Sequence, residues 1–235
     1  MTDLEQQVAT ARRQIVADGY DMSIGELISL YRNNELIINP VYQRLFRWDA
    51  SQKTRFIESL LLGIPIPPIF VFQKPDGVWE LIDGLQRVST VLEFVGVLKG
   101  PDGQPVPPSE LEGTNLLPDL ANVRWAPRED ADPASMTVAQ QLELKRARLR
   151  VEILKKESDE EAKFELFQRL NTGGSRLSDQ EVRNCVLVMV SPDFYAWLTK
   201  LASSADFETT VTLTESAKKE QKHIELALQI GRAHV

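Results

Sequence analysis

The spacing of apolar residues changes once between Ile69 and Leu98, from alternation to a helical repeat, and the change falls on Asp83-Gly84. Ile69-Phe70-Val71-Phe72 and Trp79-Glu80-Leu81-Ile82 read as two strands, and Lys74-Pro75-Asp76-Gly77 between them has the composition of a hairpin turn. Val88, Val91, Leu92 and Val95 then recur at helix spacing. The start of a helix therefore falls at the end of a strand.

The remaining segments fit that plan. Residues 1–18 read as a polar, weakly amphipathic helix, and residues 1–22 as a polar N-terminal element. Ser23 with Glu26 has the spacing of a capping box ahead of Leu27, Leu30 and Tyr31. Leu36-Ile37-Ile38 is a short strand halted by Pro40, and Ser51–Leu62 is a helix stopped by Gly63. The stretch 100–133, rich in proline and acidic residues, reads as a long surface loop with room for short pieces of order. A helix over Val138–Arg146 and a strand over Leu149–Leu154 follow. Asp159–Leu170 reads as a charged amphipathic helix ending at Asn171-Thr172-Gly173-Gly174, and Ser178 with Glu181 caps the next one. A main domain is expected over 23–190 and the start of a helical region over 191–229. The last six residues, Ile230-Gly231-Arg232-Ala233-His234-Val235, are the translation of ATC GGA AGA GCA CAC GTC, a common sequencing-adapter string. On that reading 230–235 is a read-through artefact, and the natural chain is expected to continue beyond Gln229.

Composition removes several kinds of chemistry. One cysteine, Cys185, cannot form an internal disulfide, and its apolar neighbours predict a buried thiol. Two histidines leave little material for zinc or for histidine-assisted nucleophiles. No apolar run is long enough to span a membrane, and the N-terminus lacks a hydrophobic signal region, so a cytoplasmic location is expected. A net charge of −7 argues against a non-specific nucleic-acid coat, since duplex binding needs a basic surface. Chemistry is left to carboxylates, arginines and backbone amides. Pro118-Asp119 with Glu143-Leu144-Lys145 has the loose spacing of a metal-dependent nuclease. Glu143 and Lys145 fall in a helical pattern, however, so the match is read as chance.

Three segments carry the residues that remain. In Asp83-Gly84-Leu85-Gln86-Arg87 the start of the helix offers unpaired amides to phosphate, Gly84 permits close approach, Arg87 can fork onto phosphate oxygens and Asp83 can hold magnesium or orient water. The plain alternative makes Asp83 an N-cap and Arg87 a surface ion pair. In Asn39-Pro40-Val41-Tyr42-Gln43-Arg44-Leu45-Phe46-Arg47-Trp48 two arginines lie among aromatic rings, a composition suited to anion binding and base stacking; aromatics that merely anchor a loop are the alternative. Phe167-Gln168-Arg169-Leu170-Asn171-Thr172-Gly173-Gly174 is either a helix stop or a concave amide nest for an anion.

These segments together resemble the N-terminal domain family of the GmrSD modification-dependent restriction systems. That family's pieces are a Pro-x-Tyr-Gln-Arg…Trp segment, an Asp-Gly-Gln-Gln-Arg motif opening a helix, and a Phe-x-Arg-Leu-Asn-x-Gly-Gly turn. The matching residues are Pro40, Tyr42, Gln43, Arg44 and Trp48; Asp83, Gly84, Gln86 and Arg87; and Phe167, Arg169, Leu170, Asn171, Gly173 and Gly174. Leu85 stands where the family pattern has its first glutamine. The resemblance implies an α+β, ParB/sulfiredoxin-like fold, a small mixed sheet with surrounding helices followed by a helical region, and hydrolysis of a nucleoside triphosphate with magnesium. Asp83, Gln86 and Arg87 would then be catalytic, and Tyr42, Gln43, Arg44, Gly84, Arg87, Asn171, Gly173 and Gly174 would bind nucleotide phosphate. It further implies DNA, in some cases modified, as a partner, and a nuclease domain or partner subunit beyond this chain. A sulfiredoxin-like reductase is excluded because no cysteine lies near Gly84.

The expected function is therefore a nucleotide-binding, nucleotide-hydrolysing sensor domain of a bacterial DNA-restriction or phage-defence protein. The rival is a non-catalytic DNA-binding or adaptor module. Between Val41 and Arg55 the basic residues Arg44, Arg47, Lys53 and Arg55 face Asp49 alone, so Arg47, Lys53 and Arg55 are its candidate DNA contacts.

Overall fold

The computed structural model describes residues 3–7, 17–39, 48–127, 132, 134–155, 166, 169–170, 183–184, 186–187, 190–214, 217 and 221–233. The chain packs as two units, residues 1–163 and 164–235, so the expected 23–190 domain runs across the division.

The first unit is built on one mixed sheet with the strand order β1-β5-β3-β4-β2. The strands are β1 (Ala17–Ser23), β2 (Leu36–Ile37), β3 (Ile69–Gln73), β4 (Trp79–Asp83) and β5 (Arg148–Leu154). β3 sits at the centre, antiparallel to its hairpin partner β4 and parallel to β5. β1 runs antiparallel along β5, and β2 parallel to β4. The class is α+β, as expected. The hairpin turn closes through Lys74 N to Val78 O (2.9 Å) and Gly77 N to Lys74 O (2.9 Å). The Asp76 carboxylate, held below the usual range chiefly by the Val78 N–H it accepts, fixes the corner.

Helices cover the sheet: α1 (Ile24–Arg32), α2 (Ala50–Leu62), α3 (Leu85–Phe94) and α4 (Val138–Arg146). Their apolar faces meet the strands in one core. Ile24 and Leu27, Phe56 and Ile57, Val88 and Leu92, and Leu144 are buried against Ile69, Val71, Leu81, Leu149 and Val151. α1, α2 and α4 start on side-chain caps. Asp49 and Gln52 form a reciprocal capping box on α2, as do Thr137 and Gln140 on α4. Gly63 ends α2 in a left-handed conformation (φ +67°). Ser23 caps α1 by accepting from Glu26 N, but Glu26 does not reciprocate. Its carboxylate accepts instead from the Tyr20 hydroxyl at 2.8 Å.

Two expectations are corrected here. Ala17–Ser23 is an edge strand, so the N-terminal helix cannot extend to residue 18; residues 3–7 are helical. Gly19 and the aspartates of β1 are poor strand formers, and only Met22 of this strand is buried. What makes it a strand is pairing along the whole of β5, from Ala17–Leu154 to Ser23–Arg148. The stretch 100–133, in turn, is not a free surface loop. Leu111 and Leu120 are buried, and the short helix Pro118–Leu120 lies within it. Arg124 pairs with Asp132 (2.7 Å) and Glu110 (3.5 Å). Trp125 stands edge-on to Phe94, with the Lys145 ammonium 5.6 Å from the centre of its indole.

In the second unit α5 (Pro192–Ala202), α6 (Ala205–Thr210) and α7 (Lys222–Ala233) are described. Tyr195, Leu198 and Ala202 of α5 and Ile224 and Ala227 of α7 are buried there. The helix expected over Asp159–Leu170 is described only at residues 166 and 169–170, where it is helical, and Cys185 lies outside the described residues. No helix among the described residues is long and apolar enough to cross a membrane.

Candidate functional site

β4 ends at Asp83 and α3 begins at Leu85, so the whole reversal falls on Gly84, whose φ of +96° only glycine adopts without strain. A Cβ here would overlap Cγ2 of Ile69 and lie 3.0 Å from Ile69 Cβ. The glycine is thus demanded by its packing on the central strand, and access for a ligand is not needed to explain it. One consequence reaches further: Gly84 is the N-cap of α3 and has no side chain to accept a hydrogen bond. The first turn of α3 therefore starts without the cap that the other helices of this unit have, and it carries the partial positive charge of a helix start.

Arg87 folds back over this turn. Its Nη2 donates to Asp83 Oδ2 at 2.9 Å and to the Pro68 carbonyl at 3.1 Å, and it lies 3.3 Å from where a Gly84 Cβ would be. The side chain is only 17% exposed, and its Nε is buried without a partner among the described residues. The guanidinium is neither solvated nor remote from the corner. Asp83 is not an N-cap; it is the anion that holds Arg87 beside Gly84.

Gln86 links this corner to a second segment. Its side-chain oxygen accepts from Trp48 N at 3.1 Å, and the Trp48 ring packs edge-on against Phe56 at 5.6 Å. The end of the Pro-x-Tyr-Gln-Arg…Trp segment is thereby tied to the helix that opens on Gly84. Leu85 is partly buried and packs against the core, so the residue replacing the family's first glutamine contributes packing.

Tyr42, Gln43, Arg44 and Arg47 lie outside the described residues, as do Asn171, Gly173 and Gly174. Of the other basic candidates, Lys53 is engaged inside the fold. Its ammonium meets the buried Glu93 carboxylate of α3 at 2.7 Å. Arg55 is exposed on α2 and makes no ion pair among the described residues. Glu143 and Lys145 lie on α4, in the helical setting that disfavours a nuclease reading.

Sequence reasoning missed Glu93 and the Pro68 carbonyl. Glu93 had a signal. Gln86, Ser89, Thr90 and Glu93 form a polar stripe at helix spacing on an otherwise apolar helix, and Ser89, Thr90 and Glu93 are buried. Such a stripe calls for a partner, and Lys53 is it. The Pro68 carbonyl had none, because the backbone acceptors near a turn follow from tertiary approach alone.

The first unit is thus a mixed-sheet α+β domain in which an uncapped helix start lies between an aspartate and an arginine. The family model described as GmrSD restriction endonuclease, N-terminal domain, matches residues 24–188, and the chain belongs to that family. It is accordingly a component of a restriction or phage-defence system. No curated protein and no solved structure matches the chain.

Proposed function

We propose that this domain binds a nucleoside triphosphate at the Gly84 corner and hydrolyses it while sensing DNA, modified or not, in the cytoplasm. One observation carries the reading: the uncapped start of α3 lies beside a guanidinium that Asp83 and Pro68 hold in place. The amides after Gly84 would cradle phosphate, and Arg87 with Arg44 would neutralise it. Tyr42, Gln43, Asn171, Gly173 and Gly174 would contribute to nucleotide binding, as the family motifs imply. Phosphoryl transfer needs positioning and charge neutralisation more than a nucleophilic side chain, so this inventory suffices. Gln86 serves the site by accepting from Trp48 N beside the corner.

Magnesium fits the corner in a limited way. Among the described residues no group of three His, Cys, Asp or Glu side chains is placed to hold a metal ion. Asp83 would therefore share it with nucleotide oxygens and water, the usual arrangement for magnesium. DNA cleavage would reside in a separate nuclease domain or partner subunit.

Phosphate release from nucleoside triphosphates, with and without DNA, tests this. Arg87→Ala and Asp83→Ala should each lower the rate about 1000-fold while leaving the circular-dichroism spectrum unchanged. A wild-type chain that releases no phosphate under any of these conditions refutes the enzymatic reading. The non-catalytic DNA module keeps one observation in its favour, the unpaired exposed guanidinium of Arg55. Salt-dependent DNA binding without any nucleotide requirement would select it.

A further inference from the structure

We infer that α5 docks a second copy of this chain, its exposed apolar stripe packing on the same stripe of the partner with the two helices antiparallel. The inference concerns the second unit alone and stands apart from binding or hydrolysis at Gly84.

α5 is apolar on two faces. Tyr195, Leu198 and Ala202 are buried, in a helix that packs against α7. Phe194, Trp197 and Leu201 follow one another at helix spacing on another face, and all three are exposed, Trp197 by 57%. A helix apolar over most of its circumference is one that is covered on more than one side. The Phe194 and Trp197 rings lie 5.6 Å apart at an angle of 31°, so the aromatic part of the stripe is a platform formed in advance. Contiguous exposed aromatics of this kind mark an interaction surface.

The charges beside the stripe select what covers it. Asp193 and Lys200 are exposed and form no ion pair among the described residues. They stand two helical turns apart, and so lie on the same flank of the stripe at its two ends. Phe194 and Leu201 have the same separation, with Trp197 between them. A two-fold axis across the helix near Trp197 brings like flanks together and reverses the ends. Asp193 then meets the partner's Lys200, Phe194 meets the partner's Leu201, and the two Trp197 rings meet at the axis. A parallel pairing brings unlike flanks together and leaves both charges unanswered. The contact is one helix of 11 residues on its copy, about 16 Å long, which is small for a permanent dimer. The association is therefore weak, with a dissociation constant of about 10–100 µM.

Sedimentation equilibrium of the full chain tests this. The wild type should pass from monomer to dimer over that range, and less readily as salt rises. Trp197→Ala should weaken the dimer by about 30-fold or more. Asp193→Lys and Lys200→Asp should each weaken it about 10-fold, because each sets like charges against one another on both sides of the axis. A mixed dimer of these two variants has opposite charges at both contacts. Mixing them should therefore restore wild-type affinity, which a variant that had merely failed to fold could not do. A wild-type chain that stays monomeric up to about 1 mM overturns the proposal and leaves the stripe to a different partner. A dimer indifferent to Trp197→Ala overturns it by placing the interface elsewhere. Charge variants that do not recover on mixing overturn the antiparallel pairing.

Discussion

Gly84→Ala probes the corner directly, and its cost can be worked out in two parts. The first is conformational. An alanine at φ +96° loses about 1–2 kcal/mol, as any L-residue does in the left-handed region. The second is steric. The new Cβ would overlap Ile69, which is 1% exposed in the central strand and paired with Val151 of β5, so it has little freedom to retreat. Overpacking of this kind costs about 1–3 kcal/mol. The sum, about 2–5 kcal/mol, corresponds to a fall in Tm of roughly 4–20 °C for a chain of this size. Gly63→Ala is the control, because Gly63 shares the left-handed conformation (φ +67°) and a Cβ there meets nothing within 4 Å. Urea denaturation of the two variants should give equal slopes and a difference in stability of about 1–3 kcal/mol, all of it from Ile69. If Gly84→Ala is no more damaging than Gly63→Ala, the close approach of the corner to β3 is wrong.

Two further outcomes follow from buried or shielded polar groups. Lys53→Met strands the Glu93 carboxylate in the core and should cost about 3–5 kcal/mol by chemical denaturation, whereas Lys53→Met with Glu93→Leu should be neutral or stabilising. DNA affinity retained in that double variant confirms that Lys53 is not a DNA contact; affinity lost there restores it as one. Burial first, and then the hydrogen bond to Glu26, raise the Tyr20 hydroxyl from 10.0 to about 12. The folded state therefore favours the protonated phenol. Its contribution to stability is complete below pH 10 and disappears as pH rises through about 12. Tyr20→Phe should flatten that part of an alkaline melting curve, and an unchanged curve would show that Tyr20 does not titrate as described.

Local pattern carried the fold where each element's own residues decide its conformation. The hairpin, α3, α4 and β5 were legible because alternation, helix spacing and turn residues agree within each segment. β1 was not, since Ala17–Ser23 is a strand only through pairing with β5, about 130 residues away in sequence. The order of the 100–133 stretch was equally hidden. Its proline content speaks for a loop, but the salt bridges of Arg124 and the burial of Leu111 and Leu120 depend on what faces them.

The candidate site divides along the same line. Asp83, Gly84 and Arg87 were legible as a group because they sit within one helical turn, and the structure adds that they are mutually engaged. This engagement shapes the chemistry proposed for them. An arginine whose Nη2 is shared between a carboxylate and a carbonyl is oriented before any ligand arrives, so little side-chain entropy is lost on binding. The same carboxylate also cancels part of the charge that phosphate would seek. A cation shared between Asp83 and the phosphate would lift that cancellation, which makes anion and divalent ion mutually dependent at this corner. Titration with a nonhydrolysable nucleoside triphosphate should accordingly show affinity that rises with magnesium in the wild-type chain. In Asp83→Asn, which removes the competing charge, affinity should be largely independent of magnesium. An equal magnesium dependence in both proteins would separate Asp83 from the ion and leave Arg87 to bind phosphate alone.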